Sequence, residues 1–585
     1  MVVLGITDGI SGGAAIVDGG RVVAAVNEER IVRLKMAYGF PRRSIEKVMQ
    51  ITGARPKDIQ YVGIATERSY FCDEVKAWDG WFESKSDRSI RSNIFRFVST
   101  FGHLVNEIPG LEGLYHKIRN PIFRQRRKII EKILNEEFNI FTKVKFVDHH
   151  FAHAASAFYT SAFEDALVVT MDGGGDGLSS TIYSAGKEGL QKLNEVSSYD
   201  SLGNYYSYIT HIAGFKSQRH EGKITGLAAH GKPIYQDLFR EWINYKDGKI
   251  NNIGRMVFEG ALKGIKKRLP SAYKIEDLAA SIQIVSEDIS RKYISFWLQR
   301  TGKRFVALAG GLFANVRINQ EIKEIPGVEK IFVHPGMEDG GLGVGAALAV
   351  NASVEQIKNV ALENVYLGPD YTGKEMAEAY SAHGLTGKTY ECIEPEIARL
   401  LAKGYVVARF AGRMEYGPRA LGNRSILYAP IDPSVNDWLN QNLRRTEFMP
   451  FAPSSLMEYA DRCYAGFEGA EEAAKYMTIT FRCTDWMKKN CAGVVHLDGT
   501  ARPQLVEKTQ NLSYYHIIEE FRRITGIPVI INTSFNVHEE PIVCSPQDAV
   551  RAFLDSNLDY LAMGDHLIKN PKPLSHALVE VGRHE

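Results

Sequence analysis

Residues 2–26 read VVLGITDGISGGAAIVDGGRVVAAV. Three apolar runs, VVLGI (2–6), AAIV (14–17) and RVVAAV (21–26), are split by Thr7-Asp8-Gly9 and by Asp18-Gly19-Gly20. Asp and Gly between apolar runs tolerate the backbone of a tight hairpin turn, so the stretch reads as short strands joined by turns. The phrase returns at ALVVTMDGGG (166–175), a strand ending in Asp-Gly, followed by STIYS (180–184), a glycine-containing turn and another strand. The echo predicts a duplicated three-strand unit. Around it, strands alternate with helices. KVKFV (143–147) leads into HHFAHAASAFYTSAF (149–163), with Asp148 as the helix N-cap. RFVALAGGLFAN (304–315) is a strand entering a Gly-Gly turn, and KIFVHPGMEDGGLGVGAALAV (330–350) is a strand, a Gly-rich loop and an Ala-rich helix. That alternation predicts an α/β fold.

The pattern softens over 351–375, where a domain boundary is expected, giving domains 1–355 and 356–585. The second domain opens with helix EMAEAYSAH (375–383) and strand GYVVARF (404–410), and later holds the buried-type strand GIPVIINTSFN (526–536). The stretch YHKIRNPIFRQRRKIIEKILNEE (115–137) is basic with apolar residues at helical spacing. It reads either as a surface helix with a solvated charged face or as a lid or clamp for an anionic substrate.

Composition narrows the class. The chain has 585 residues, and 71 Lys+Arg against 69 Asp+Glu leave a net charge of +2, which argues against a polybasic nucleic-acid coat. Hydrophobic residues at 44% and charged residues at 24% exclude global disorder. No run of about 20 apolar residues marks a transmembrane helix. MVVLGITDGI reads as a strand rather than a signal peptide. The six cysteines (72, 392, 463, 483, 491, 544) contain no CxxC pair, which favours a reducing cytoplasm over a disulfide framework or thiolate zinc site.

Three constellations carry chemistry. In His149-His150-Phe151-Ala152-His153 the outer histidines, four apart, share a helix face and can hold one ion. A zincin would carry Glu where His150 stands. Asp172 in MDGGGDG and Asp339 in MEDGGLG complete a two-imidazole, two-carboxylate set suited to Fe(II) or Mn(II), or else simply form turns. Glycine turns at Gly173–Gly175, Gly310-Gly311 and Gly340-Gly341 with Gly343 and Gly345 each follow an apolar strand, as in a nucleotide cleft. Asn315 is placed to reach a ribose or phosphate, or to cap a helix. Finally, GRMEYGPRALGNRSIL (412–427) carries Arg413, Arg419 and Arg424, LRRTEFMPFAPSS (443–455) adds Arg444 and Arg445, and HLDGTARPQLVEK (496–508) adds His496 and Arg502. Guanidinium forks fit phosphate and carboxylate, whether on a ligand or on structural Asp and Glu. Asn532 and Ser534, in NTSFN, offer further polar contacts or an Asx/ST turn.

Taken in order, EER..R.K (28–35), HHFAHAASAFY, MDGGGDG, EGKITGLAAHGK (221–232), AGGLFANV, GRMEYGPRALGNRSIL, FMPFAPS, HLDGTARPQ and NTSFN...EPIVCSP resemble the O-carbamoyltransferases that decorate nodulation factors and antibiotics, nearly end to end. The resemblance implies an N-terminal actin/sugar-kinase-like domain (a duplicated ribonuclease-H-like fold) similar to tRNA threonylcarbamoyltransferase, and a C-terminal domain similar to threonylcarbamoyl-adenylate synthase. It implies that the C-terminal domain makes carbamoyladenylate from carbamoyl phosphate and Mg-ATP. The N-terminal domain would then move the carbamoyl group onto a hydroxyl of a small-molecule acceptor, with no nucleic-acid or membrane partner. By motif match, His149, His153, Asp172 and Asp339 would carry Fe(II) or Mn(II). Gly173, Gly310, Gly311 and Asn315 would sit against the adenylate. Arg419, Arg424, Arg445, His496, Arg502, Asn532 and Ser534 would line the ATP and carbamoyl phosphate site. Where the family places a histidine after the first strand, this chain has Ile10-Ser11-Gly12-Gly13, leaving Asp8 as the candidate base for transfer. Arg444-Arg445-Thr446-Glu447-Phe448 also departs from the family's pattern. Two other readings remain: an RNA-modifying threonylcarbamoyl transferase and a non-enzymatic nucleotide-binding protein.

Overall fold

A computed structural model describes residues 1–80, 82, 111–355, 359–443, 451–537 and 539–573. The chain divides into two compact units, Met1–Val23 with Met36–Ala361, and Ala24–Lys35 with Leu362–Glu585. A division at 355/356 assigns residues 24–35 to the first domain; in the structure they belong to the second. The physical cause is a pair of guanidiniums. Arg30 donates to the Gly417 carbonyl (2.9 Å), and Arg33 to those of Ile542 (2.6 Å) and Pro541 (2.7 Å).

The echo seen in the sequence is a topological repeat. One five-stranded sheet runs Arg21–Asn27, Gly13–Asp18, Val2–Thr7, Tyr61–Ala65, Lys143–Val147. The other runs Gly189–Ser197, Leu178–Gly186, Ala166–Gly175, Phe305–Ala309, Lys330–Val333. In each, the strand ending in Asp-Gly pairs antiparallel with the strand that follows it and parallel with a strand delivered by a later crossover. Val3, Leu4, Ile6 and Leu167, Val168, Val169 are fully buried, as expected of central strands covered on both faces.

Two nearly fully buried helices, His149–Thr160 and Leu342–Val354, pack in this unit. They approach backbone to backbone. A Cβ on Gly5 would lie 1.9 Å from the Gly343 carbonyl oxygen, and one on Gly345 the same distance from that of Ala152. Gly345, read from the sequence as part of a phosphate-cradling loop, therefore serves helix packing instead, and Gly343 lies in the same helix against the Gly5 backbone of the first strand.

The Leu111–Glu136 helix buries Phe123, Ile130, Ile133 and Leu134, and exposes Arg124, Arg127, Lys128 and Lys132. Arg126, in line with Phe123 and Ile130, is buried with them at 1% exposed.

The second unit carries an eight-stranded sheet, in order Gly387–Thr389, His566–Lys569, Tyr560–Met563, Val407–Phe410, Arg424–Tyr428, Val529–Ser534, Ala452–Leu456, Gln504–Val506. Its register pairs Phe410 with Arg424, Ser425 with Ser534, Ala452 with Asn532 and Ser454 with Gln504. One end of the sheet therefore gathers the 411–423 loop, Phe451, the turn after Ser534 and residues 501–503. Arg445 lies outside the described residues.

All six cysteines are free thiols. Cys463, Cys483 and Cys491 are buried around the small sheet Tyr464–Ala465, Phe481–Cys483, Thr500–Ala501, and burial pushes each thiol up. Among the described residues no helix is long and apolar enough to cross a membrane.

Candidate functional site

The His149–Thr160 helix starts where Asp148 accepts from the Phe151 amide (2.8 Å) and Asp176 accepts from the His149 amide (2.8 Å). That start puts His149 and His153 one turn apart, facing the end of the Ala166–Gly175 strand. Asp172 arrives on this strand and Asp339 on the turn before the Leu342–Val354 helix. One ligand atom from each of the four lies within 4.8 Å of the others. His149 Nε2 stands 2.8 Å from Asp172 Oδ2 and 3.7 Å from Asp339 Oδ1, and His153 Nε2 stands 3.4 and 3.6 Å from the same oxygens. His149, His153 and Asp172 are buried, and Asp339 is partly open.

His150 is excluded from this set by its own bonds. Its Nδ1 meets Thr170 Oγ1 at 2.7 Å and its Nε2 meets the Leu178 carbonyl at 3.0 Å. A carbonyl only accepts, so Nε2 carries the proton and Nδ1 accepts from the threonine. Burial lowers the His150 pKa, keeping the ring neutral. Burial also opposes charge on His149, yet the Asp172 charge and hydrogen bond, with Asp339 and Asp176 behind them, push it up to about 10. Burial opposes charge on Asp172 in turn, but the facing His149, through its charge and its hydrogen bond, holds that carboxyl well below the usual carboxylate range. The standing positive charge is His149's, because His150 is neutral. Two buried groups remain unsatisfied. Neither ring nitrogen of His153 has a hydrogen-bond partner, nor has Asp172 Oδ1. Unpartnered nitrogen lone pairs inside a two-carboxylate cage are the condition a divalent ion relieves.

The other residues read from the first domain divide. Gly310 has φ +110, and a Cβ there would lie 2.2 Å from the Met171 carbonyl oxygen, so its glycine is a packing requirement. Gly311 and Gly173 flank Asp172: a Cβ on Gly311 would meet only the Asp172 Cβ (3.9 Å), whereas one on Gly173 would crowd Asn204 Oδ1 (3.1 Å) and touch Gln218 Nε2 (3.7 Å). Asn315 is the cap of the Val316–Lys323 helix: its Oδ1 accepts from the Arg317 and Ile318 amides and its Nδ2 donates to Gln283 at 2.8 Å. Those bonds use the side chain that a ribose contact would need. Asp8 is corrected more sharply. Its two oxygens accept from Arg126 Nε (2.9 Å) and Nη2 (2.5 Å), and it is 1% exposed. A carboxylate held by a buried fork is not placed to take a proton from an acceptor.

In the second unit, Arg424 is fully buried against the Phe410 ring (3.7 Å). Its donors go to the carbonyls of Ala411 (2.7 Å), Gly412 (3.0 Å), Asn423 (3.1 Å) and Pro369 (3.4 Å). It organises the loop rather than offering a fork to phosphate. Asn532, 1% exposed, donates toward Ala420 O, Ser454 Oγ and Gln504 Oε1, while Gln504 donates to Leu421 O. The pair clamps the turn that follows Arg419. Ser534 donates to Asn536 Oδ1 (2.7 Å), forming a local turn. His496 closes the turn to Thr500 through its amide and through Nδ1 (3.1 Å). Arg419 and Arg502 are half-buried at the gathered end of the sheet.

Four residues escaped the sequence reading. Glu415 Oε1 accepts from the amides of Leu421, Asn423 and Arg424, folding the 415–424 loop around one carboxylate. Arg409 donates to Gly422 O and Asn423 Oδ1 in the same loop. Thr66 Oγ1 lies 3.1 Å from His149 Nδ1. Arg126 donates to the Thr66 carbonyl at 2.8 Å. Only Glu415, an acid inside a run of glycines and arginines, left a local signal.

Residues 3–348 match the family model for the carbamoyltransferase N-terminus and residues 398–570 the model for the carbamoyltransferase C-terminus. An uncharacterized protein of Methanocaldococcus jannaschii is 33% identical over 601 residues, covering 94% of this chain and 93% of that one. Nodulation protein NolNO of Sinorhizobium fredii is 32% identical over 574 residues, covering 95% of this chain and 78% of that one. Nodulation protein NolO of Bradyrhizobium diazoefficiens is 33% identical over 435 residues, covering 72% and 79%. With both family models matched in sequence order, and relatives aligned over most of their own lengths, the chain belongs to the carbamoyltransferase family.

Proposed function

We propose that this chain is an O-carbamoyltransferase working in two steps. The second unit makes carbamoyladenylate from carbamoyl phosphate and Mg-ATP, and the first passes the carbamoyl group to a hydroxyl of a small-molecule acceptor, releasing AMP. Family membership supports carbamoyl transfer. The observation that carries the rest is the meeting of His149, His153, Asp172 and Asp339 within 4.8 Å, with both His153 nitrogens unpartnered. These donors fit Fe(II) or Mn(II), for which mixed imidazole and carboxylate ligation is favourable. When bound, such an ion supplies Lewis acidity for a carbonyl or phosphoryl oxygen.

The chain's own residues supply positioning and charge. Water first cleaves carbamoyl phosphate to carbamate and inorganic phosphate; the carbamate oxygen then attacks the α-phosphate of ATP, pyrophosphate leaves, and the mixed anhydride makes the carbamoyl carbon the electrophile that free carbamate is not. That step needs fixed cations around phosphate oxygens. Arg419 and Arg502, with Arg445, are assigned to it. Arg424, Glu415, Asn532 and Gln504 hold the loop from which Arg419 projects. Asp8 is not assigned a role in proton transfer, and the acceptor's proton goes to a group other than this buried carboxylate. An adenylate hydrolyses readily, so two steps on one chain shorten its exposure to water.

The test is incubation with ATP, Mg²⁺ and carbamoyl phosphate, with mass spectrometry for carbamoyladenylate and a panel of hydroxylated acceptors. Arg502→Ala is expected to abolish the intermediate. His153→Ala is expected to keep it and to lose the carbamoylated product. Equal intermediate yield from the Arg502 variant contradicts the assignment of the second unit.

A further inference from the structure

We infer that Arg126 and Thr66 form a positioning relay that sets how His149 presents Nε2 to a divalent ion. The inference rests on the metal reading above and extends it to residues outside the ligand set. Arg126 lies on the buried face of the Leu111–Glu136 helix, in line with Phe123 and Ile130, and is 1% exposed. Its guanidinium is a three-way anchor. Nε and Nη2 donate to Asp8, Nη2 also reaches the Ala65 carbonyl (3.2 Å), and Nη1 donates to the Thr66 carbonyl (2.8 Å). Asp8 directly follows the first strand and Ala65 ends the parallel strand beside it, so one side chain ties both strand ends to the helix.

Thr66 explains what this anchor holds. Its φ is +68, a left-handed conformation that a β-branched residue adopts only where the surroundings impose it. The Arg126 bond to its carbonyl is such an imposition. In that conformation Thr66 Oγ1 lies 3.1 Å from His149 Nδ1. A hydroxyl accepting from Nδ1–H leaves Nε2 as the ligating nitrogen, aimed at Asp172 and Asp339. Asp176 fixes the same region from the other side, accepting from the His149 amide and from the Glu67 and Arg68 amides that follow Thr66. His153 Nδ1 has no hydrogen-bond partner, so the relay is specific to His149.

The experiment titrates the purified full-length protein with Mn(II), following free ion by electron paramagnetic resonance and recording the bound-ion spectrum. Thr66→Val keeps the shape and removes the hydroxyl; it is expected to weaken Mn(II) binding by about tenfold to a hundredfold and to alter the bound-ion spectrum. Thr66→Ser, which restores the hydroxyl, is expected to remain within about threefold of the parent, a rescue that a purely structural role for the residue does not predict. Because removing Arg126 alone strands a buried carboxylate, the second probe is the paired change Arg126→Gln with Asp8→Asn. It is expected to weaken Mn(II) binding in the parent and to add little in the Thr66→Val background, as members of one relay do. Mn(II) binding by Thr66→Val within twofold of the parent, or fully additive losses, overturns the relay and leaves the metal reading standing. A parent protein that binds no Mn(II) overturns the metal reading and the relay with it.

Discussion

Replacing Gly175 with alanine is expected to disable the histidine–aspartate cluster while changing no ligand. A Cβ at this position would lie 2.1, 2.3 and 2.4 Å from Cγ, Cδ2 and Nδ1 of His149. Ordinary contact begins at 3.4 Å, so the ring must retreat by about 1.3 Å (3.4 − 2.1) or the strand must shift as far. Nothing on the far side yields cheaply, because the ring is held by Asp172 at 2.8 Å and by Thr66 at 3.1 Å. Overpacking of this kind costs about 1–3 kcal/mol, and breaking the charged bond to Asp172 adds about 1.5–3 kcal/mol. Metal ligands tolerate displacements of only about 0.2 Å, so affinity should fall at least tenfold. The assay is a Mn(II) titration with a thermal unfolding curve on the metal-free protein. Gly222, exposed and with nothing within 4 Å of an added Cβ, is the control: Gly222→Ala should leave Mn(II) affinity unchanged and stability equal or up to about 1 kcal/mol higher. If Gly175→Ala binds Mn(II) within twofold of the parent and unfolds at the same temperature, the steric argument is wrong.

Metal uptake should release about one proton per ion near pH 7.5, because His149, pushed up to about 10, is cationic in the metal-free site; calorimetry in buffers of different ionisation enthalpy measures it. The same shift has a stability consequence: a folded pKa above the unfolded value near 6.5 stabilises the metal-free protein fully below pH 6.5. That contribution is then lost as pH rises toward 10, visible as a falling unfolding midpoint over that window. Arg424→Met should destabilise by about 2–4 kcal/mol through its orphaned carbonyls, read as a fall in the unfolding midpoint. Arg33→Ala should raise hydrogen exchange in residues 541–545 relative to the rest of the second unit, since two carbonyls there lose their donor.

Where each element forms was largely legible. Apolar runs ending in Asp-Gly marked both first strands, and the i, i+4 histidines followed a residue able to cap a helix. The matching order of the two five-stranded sheets was visible only as a loose echo, because strand order depends on crossovers that leave no periodic trace. Residues 24–35 were assigned to the wrong unit for a similar reason: Arg30 and Arg33 act on carbonyls some 390 to 510 positions away. Arg424 and Arg419 look equivalent in GPRALGNR, yet one lies under four carbonyls and the other does not share that cage.

Local chemistry thus determined which residues were available: the imidazoles, carboxylates, turn glycines and forks, and the strands and helices that carry them. Folding determined their employment. Asp8 and Arg126 are 118 positions apart and neutralise one another because two strand ends and a helix meet there, and Asn315 closes a helix because its backbone stands at the first turn. A side chain's donors and acceptors are read from its formula, but burial removes the water that would otherwise satisfy them. Only the complete fold therefore decides whether a polar atom is bonded within the protein or left, like His153, to be bonded by something else.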